Sequence, residues 1–187
     1  MKVKVLILFC CLYTYAHVRY HIGKGIPLNE WLFILNKSIA WTGGILLGLS
    51  LFKYEEKNIR NSFGSIGYLF STIHLLLDIV LMSPEHYPSF YSFGQLNTHA
   101  WISISLGILS FICFTTAYIG SITKNYKYLL RFGRIGILFS LLHVTMIGKK
   151  GWFTPNSWPF YMPPITLLFV LAILCFLYLD LRKRLKR

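Results

Sequence analysis

Charge is scarce in this sequence, and acid is scarcest. Charged residues fill 13% of the 187 positions, about half the share of an ordinary soluble domain. Six Asp and Glu stand against nineteen Lys and Arg. A surface solvated all round has too few groups to be built from this set. No stretch is rich in proline or serine or low in complexity, so no linker is visible. The four cysteines, Cys10, Cys11, Cys113 and Cys175, form no C-x-x-C and lie inside apolar runs. That pattern speaks against a disulfide framework, a zinc site or an iron–sulfur cluster, and the thiols read as small packing groups. There is no nucleophile–base pair, P-loop or G-x-G-x-x-G, so hydrolysis and phosphoryl transfer have no basis.

What the sequence has is apolar length. It is 55% hydrophobic, with a mean hydropathy of +0.56, and the apolar residues gather in six runs near 3–18, 31–52, 63–82, 96–119, 128–148 and 162–181. All but the first approach the ~20 residues that span a bilayer as a helix. The expected fold is an all-α integral membrane protein, one six-helix transmembrane domain over residues 1–187. Lys2 and Lys4 give the first run the look of a signal peptide. No small-x-small cleavage site follows "CCLYTYAHVRY", so it reads as a membrane helix. Aromatics cluster at run ends, as in "GWFTPNSWPFYMPP", where an interfacial belt belongs.

The net charge of +13 flanks the runs, which suits lipid headgroups better than nucleic acid. Fourteen cations, including Lys2, Lys53, Lys124 and the "RKRLKR" tail, fall at one set of run ends. Five fall at the other: Arg19, Lys24, Lys37, Lys149 and Lys150. The positive-inside rule then predicts a plasma-membrane protein with both termini cytoplasmic.

The sequence also repeats itself. "FGSIGYLFSTIH" (residues 63–74) and "FGRIGILFSLLH" (residues 132–143) share eight of twelve positions and both close on histidine. In this topology the third and fifth runs are parallel, with His74 and His143 both ~17–22 Å from the cytoplasmic end. Two imidazoles at similar depth are the arrangement a flat metal cofactor needs on its two faces. Gly67 and Gly136 each precede their histidine by seven residues, two helical turns. Gly64 and Gly133 precede it by ten, so these side-chain-free positions share the histidine face. Small residues also let helices pack closely. Ionisable groups inside an apolar run are costly and functional by default, and imidazole is a common haem ligand.

These residues resemble the ferric-reductase-like transmembrane domain family, and within it the MsrQ-type haem subunit most. The third run has Arg60, Gly64, Tyr68, Phe70 and His74 in the family's order, and the fifth has Arg131 and a closing Leu142-His143. The resemblance covers the six-helix core. It implies a haem b between the third and fifth helices, ligated by His74 and His143. Two-haem members carry a further histidine thirteen or fourteen residues before each ligand. Arg60, Asn61, Leu129 and Leu130 fill those places here, which implies one haem, on the outer side. No flavin or nicotinamide domain follows the sixth run. The chain is therefore expected to act as the electron-transfer subunit of an oxidoreductase, with membrane lipid around it. A quinol, or a flavin at the basic mouth of Lys57, Arg60, Lys127, Arg131 and Arg134 beside Glu55 and Glu56, would supply electrons to an outer-side acceptor or oxidoreductase partner. Arg131 and Arg134 also read as positive-inside anchors. From a different class, the two histidines would serve a haem-free transporter as a path for metal or protons.

Other polar residues have weaker readings. His99 suits a propionate contact or the wet interface, and His86 a loop. His17 and His21 suit solvated roles near the outer end of the first run. Asp78, one turn past His74, needs a partner if buried; Lys37 is the candidate, or else it snorkels.

Overall fold

The computed structural model describes residues 2–52 and 57–185. Among them, six helices are long and apolar enough to cross a membrane, and the chain is an all-α, multi-pass membrane protein in contact with lipid. α1 spans Lys2–His17, α2 Trp31–Phe52, α3 Lys57–Leu81, α4 Thr98–Ile122, α5 Tyr126–Trp152 and α6 Ile165–Leu185. Glu55 and Glu56 lie outside the described residues, as do the side chains of Lys57 and Arg60. The predicted runs match the helices to within a few residues. The largest difference is at the third, which begins six residues earlier, at Lys57; the first continues as a π-turn over Val18–Ile22 and carries Arg19 into the protein interior.

Local chemistry sets several boundaries. Asn97 caps α4 by accepting from the Ala100 N–H, and Asn125 caps α5 by accepting from the Tyr128 N–H. Each satisfies a donor that the first turn leaves without an internal partner. Between α3 and α4 a short hairpin pairs β1 (Tyr91–Ser92) with β2 (Gln95–Leu96). Phe93 and Gly94 at its tip both have positive φ, the geometry that matches strand twist in a two-residue loop.

The bundle is organised as two antiparallel hairpins, α2 with α3 and α4 with α5, with α1 and α6 against α2. α2 is the most buried of the six. Ile34, Trp41 and Leu47 on it pack with Ile137 and Leu141 of α5 and with Phe169 and Ile173 of α6. α3 shows the lipid side Leu69, Leu76, Ile79 and Val80, all exposed, as a surface facing hydrocarbon should. The helix ends near the two termini are called the terminal end below. The other end, with the 23–30, 82–97 and 153–164 connections, is the far end.

Candidate functional site

The repeated phrase occupies equivalent places in the two hairpins. In the first, α2 and α3 cross at Gly43 and Gly67. A Cβ at Gly67 would stand 3.0 Å from the Gly43 carbonyl oxygen and 2.9 Å from Leu47 Cγ. In the second, α4 and α5 cross where Ser110 Oγ donates to the Gly136 carbonyl (2.9 Å). A Cβ on Gly136 would stand 2.7 Å from the Phe114 ring. The space beside Gly67 and Gly136 is thus taken up by α2 and by Phe114, and both glycines serve close helix crossing. Gly64 and Gly133 face looser surroundings; among the described residues the nearest atoms an added Cβ would meet, outside its own helix backbone, are at 3.8 Å and 3.5 Å.

Two turns beyond each crossing stands the histidine, met by a residue two turns back on the preceding helix. His74 Nδ1–H donates to Asn36 Oδ1 (2.7 Å). The Asn36 amide donates in turn to Asp78 Oδ1 (2.7 Å). A carboxylate only accepts, so this fixes the amide orientation and makes Nδ1 of His74 the donor. His143 Nδ1–H donates to the Ser103 carbonyl (2.7 Å), with Ser103 Oγ also near at 3.3 Å. Asn36 and Ser103 are fully buried. Both rings are therefore held through Nδ1 by an oxygen acceptor, which leaves Nε2 as the nitrogen with a lone pair. His143 Nε2 has no partner among the described residues. His74 Nε2 lies 3.3 Å from Asp78 Oδ2.

Asp78 takes its partners from Asn36 and from Tyr87, whose hydroxyl donates at 2.7 Å. Lys37, the partner expected from the sequence, attracts Asp78 without an ion-pair contact and lies over the rings of Phe33 (4.5 Å) and Tyr87 (4.6 Å). Burial, then the Asp78 carboxylate, push the Tyr87 phenol far above the ordinary tyrosine range, so it remains a donor. Asn36, Tyr87 and Ser103 were not singled out in the sequence. The only signal would have been a polar residue seven positions before Gly43 or Ser110, a pairing visible once the helices are docked.

The remaining histidines hold connections. His99 Nε2–H donates to the Met146 carbonyl (2.9 Å) and ties α4 to the far end of α5. His86 sits between Ser83 Oγ (2.8 Å) and the Glu30 carboxylate (2.6 Å). His17 and His21 lie with tilted rings, centroids 4.9 Å apart.

A narrow cleft opens between α2, α3, α4 and α5 nearer the terminal end. Asn61, Gly64, Leu129, Leu130 and Gly133 line it, together with Tyr68, Ser50 and Ser65. Tyr68 stacks on Tyr118 (4.7 Å between centroids) and Phe111 (5.7 Å), and its hydroxyl meets Thr115 Oγ1 at 3.1 Å. Arg131 is exposed and Arg134 partly buried; neither lines the cleft. Among the described residues no three His, Cys, Asp or Glu side chains gather around one point for a bare ion.

No family model matches this chain, and no curated protein is similar to it.

Proposed function

We propose that the chain is a membrane cytochrome with a single haem b, the electron-transfer subunit of an oxidoreductase. The reading rests on one observation above the others: two histidines in repeated hairpins, each fixed through Nδ1 by an oxygen acceptor of the preceding helix. That partner sets the tautomer and orients Nε2, as it does for metal-bound imidazoles in general. His74 and His143 would be the ligands, and α3 and α5, which scarcely touch each other, would flank the ring. Bound haem supplies one-electron chemistry; the chain supplies the ligands, their orientation and exclusion of water. For His74 to ligate, its Nε2 must leave Asp78, and Asn36 and Tyr87 then keep the carboxylate hydrogen-bonded.

A quinol is the preferred electron donor. The cleft toward the terminal end has aromatic walls and scattered hydroxyls, which suit a planar ring with two oxygens. It also includes Asn61, Leu129 and Leu130, the positions where two-haem proteins of the resembled family carry their additional ligands. A flavin at the basic mouth is the other source. Electrons would leave toward an acceptor at the far end, on the outer side if both termini are cytoplasmic.

The contact between His74 Nε2 and Asp78 favours a second reading, a haem-free transporter that passes protons or metal through this pair. The visible spectrum and pyridine haemochrome of the purified protein separate the two. One haem per chain, lost in both His74→Ala and His143→Ala, is expected. A colourless protein, or full retention in either variant, overturns the assignment. Reduction by a quinol in vesicles, unchanged by Arg131→Ala with Arg134→Ala, is expected. Reduction only by reduced flavin, lost in that double variant, would make flavin the donor.

A further inference from the structure

At the far end, away from the cleft, a pocket of about 270 Å³ lies between the end of α1, α2, the end of α5 and the start of α6. Its polar lining includes Arg19, Lys24, Lys37, Ser157 and Thr166. Three cations face it and no carboxylate does. Arg19 is only 3% exposed. One of its terminal nitrogens donates to the Met162 carbonyl, while its buried Nε–H has no hydrogen-bond partner among the described residues. Lys37 has the rings of Phe33 and Tyr87 for neighbours, and Lys24 lies 5.7 Å from the centre of the Tyr20 ring. Among the described residues none of the three forms an ion pair. Asp78 is already hydrogen-bonded by Asn36 and Tyr87.

Arg19 is buried with no carboxylate in contact, which is costly; Asp78 attracts Lys37 from outside the pocket lining. Three cations around one pocket repel one another as well, and Lys24, at the exposed rim, is held below the usual lysine range by partial burial and by the Arg19 charge. The walls are fixed: Trp158 Nε1–H donates to the Gly151 carbonyl (2.8 Å), and Trp152 Nε1–H to Thr166 Oγ1 (2.9 Å). That bond leaves the Thr166 hydroxyl proton free to donate elsewhere.

We infer that this pocket binds a compact oxyanion, a carboxylate or phosphate group, between Arg19, Lys24 and Lys37. Guanidinium and ammonium groups match such an anion with charge-assisted hydrogen bonds. At the membrane surface it could be the headgroup of an anionic lipid or a soluble oxyanion.

The test uses the full chain in phosphatidylcholine nanodiscs, titrated calorimetrically with inorganic phosphate and with succinate at constant ionic strength. In parallel, native mass spectrometry follows lipid carried out of nanodiscs that include phosphatidylglycerol. Saturable binding of phosphate or succinate supports a soluble source; retained phosphatidylglycerol supports a headgroup. Either should weaken about tenfold or more in Lys24→Glu and in Lys37→Gln, the loss expected for one charge-assisted contact. Lys24 is exposed, so its variant tests the pocket even if Arg19→Gln fails to fold. Binding undiminished in Lys24→Glu, or neither anion held by the wild type, overturns the inference.

Discussion

At the residue scale, the molecule concentrates its polar contacts on a few side chains inside an apolar bundle. Asn36 bridges His74 and Asp78. Asn36→Leu leaves both short of a partner and should cost about 2–5 kcal/mol, since each orphaned buried group costs about 1–3. Denaturant unfolding in mild detergent measures this; a change below about 0.5 kcal/mol, the scale of a neutral surface substitution, would remove Asn36 from the network. Tyr87 gives a pH signature. Its pKa is raised in the folded protein above the ~10 of an unfolded tyrosine. The folded chain therefore keeps a proton that the unfolded chain loses. This contribution is complete below about pH 10 and is lost as pH rises through the folded pKa. Tyr87→Phe should flatten the alkaline fall in stability and cost about 1–3 kcal/mol at neutral pH, because Asp78 loses a donor. An alkaline limb identical to wild type would show that Tyr87 ionises freely.

At the element scale, the repeated phrase is half of a larger repeat. Each glycine marks where its helix crosses the one before, and each histidine is met by a polar residue two turns from that crossing. Gly67→Ala and Gly136→Ala place a Cβ under 3.0 Å from neighbouring atoms. Overpacking of that kind typically costs about 1–3 kcal/mol, and both variants should be destabilised and bind less haem. Gly64→Ala and Gly133→Ala meet nothing that close, and should be neutral or gain up to about 1 kcal/mol from helix propensity. Thermal unfolding of the four proteins checks this. If all four behave alike, the crossings are not tight. The repeat was legible as letters; its partner residues on α2 and α4 were not, because Asn36 and Ser103 sit in stretches that share no such phrase.

At the scale of the whole molecule, orientation and electron route come together. Phe93 is fully exposed at the hairpin tip of the far end, and Lys124 is exposed at the terminal end. If both termini are cytoplasmic, an impermeant maleimide should label Phe93→Cys in intact cells, and Lys124→Cys only after permeabilisation. The reverse pattern would invert the protein and put the acceptor inside. Gly133→Leu should fill the cleft and slow quinol reduction several-fold while leaving the oxidised haem spectrum unchanged. An unaltered rate would place quinol elsewhere.

The sequence alone determined the helices and their number. Bilayer length, apolar composition and the absence of internal hydrogen-bonding alternatives act on each segment separately, so six runs suffice to read six spans. It also marked His74 and His143, because an ionisable group in an apolar run stands out without knowing its neighbours. Docking decided the rest. Gly67 and Gly136 proved to be crossing points because only the facing helix says whether an empty position is filled. Asp78 is hydrogen-bonded by Asn36 and Tyr87, with Lys37 attracting it only from a distance, because side-chain direction on α2 sends neighbouring positions to different faces. Arg19, counted from sequence as one more flanking charge, is buried beside two lysines because the α1 end winds on past His17 and turns it inward. A residue's partners depend on where separate helices meet, and that is set by the packing of the whole bundle.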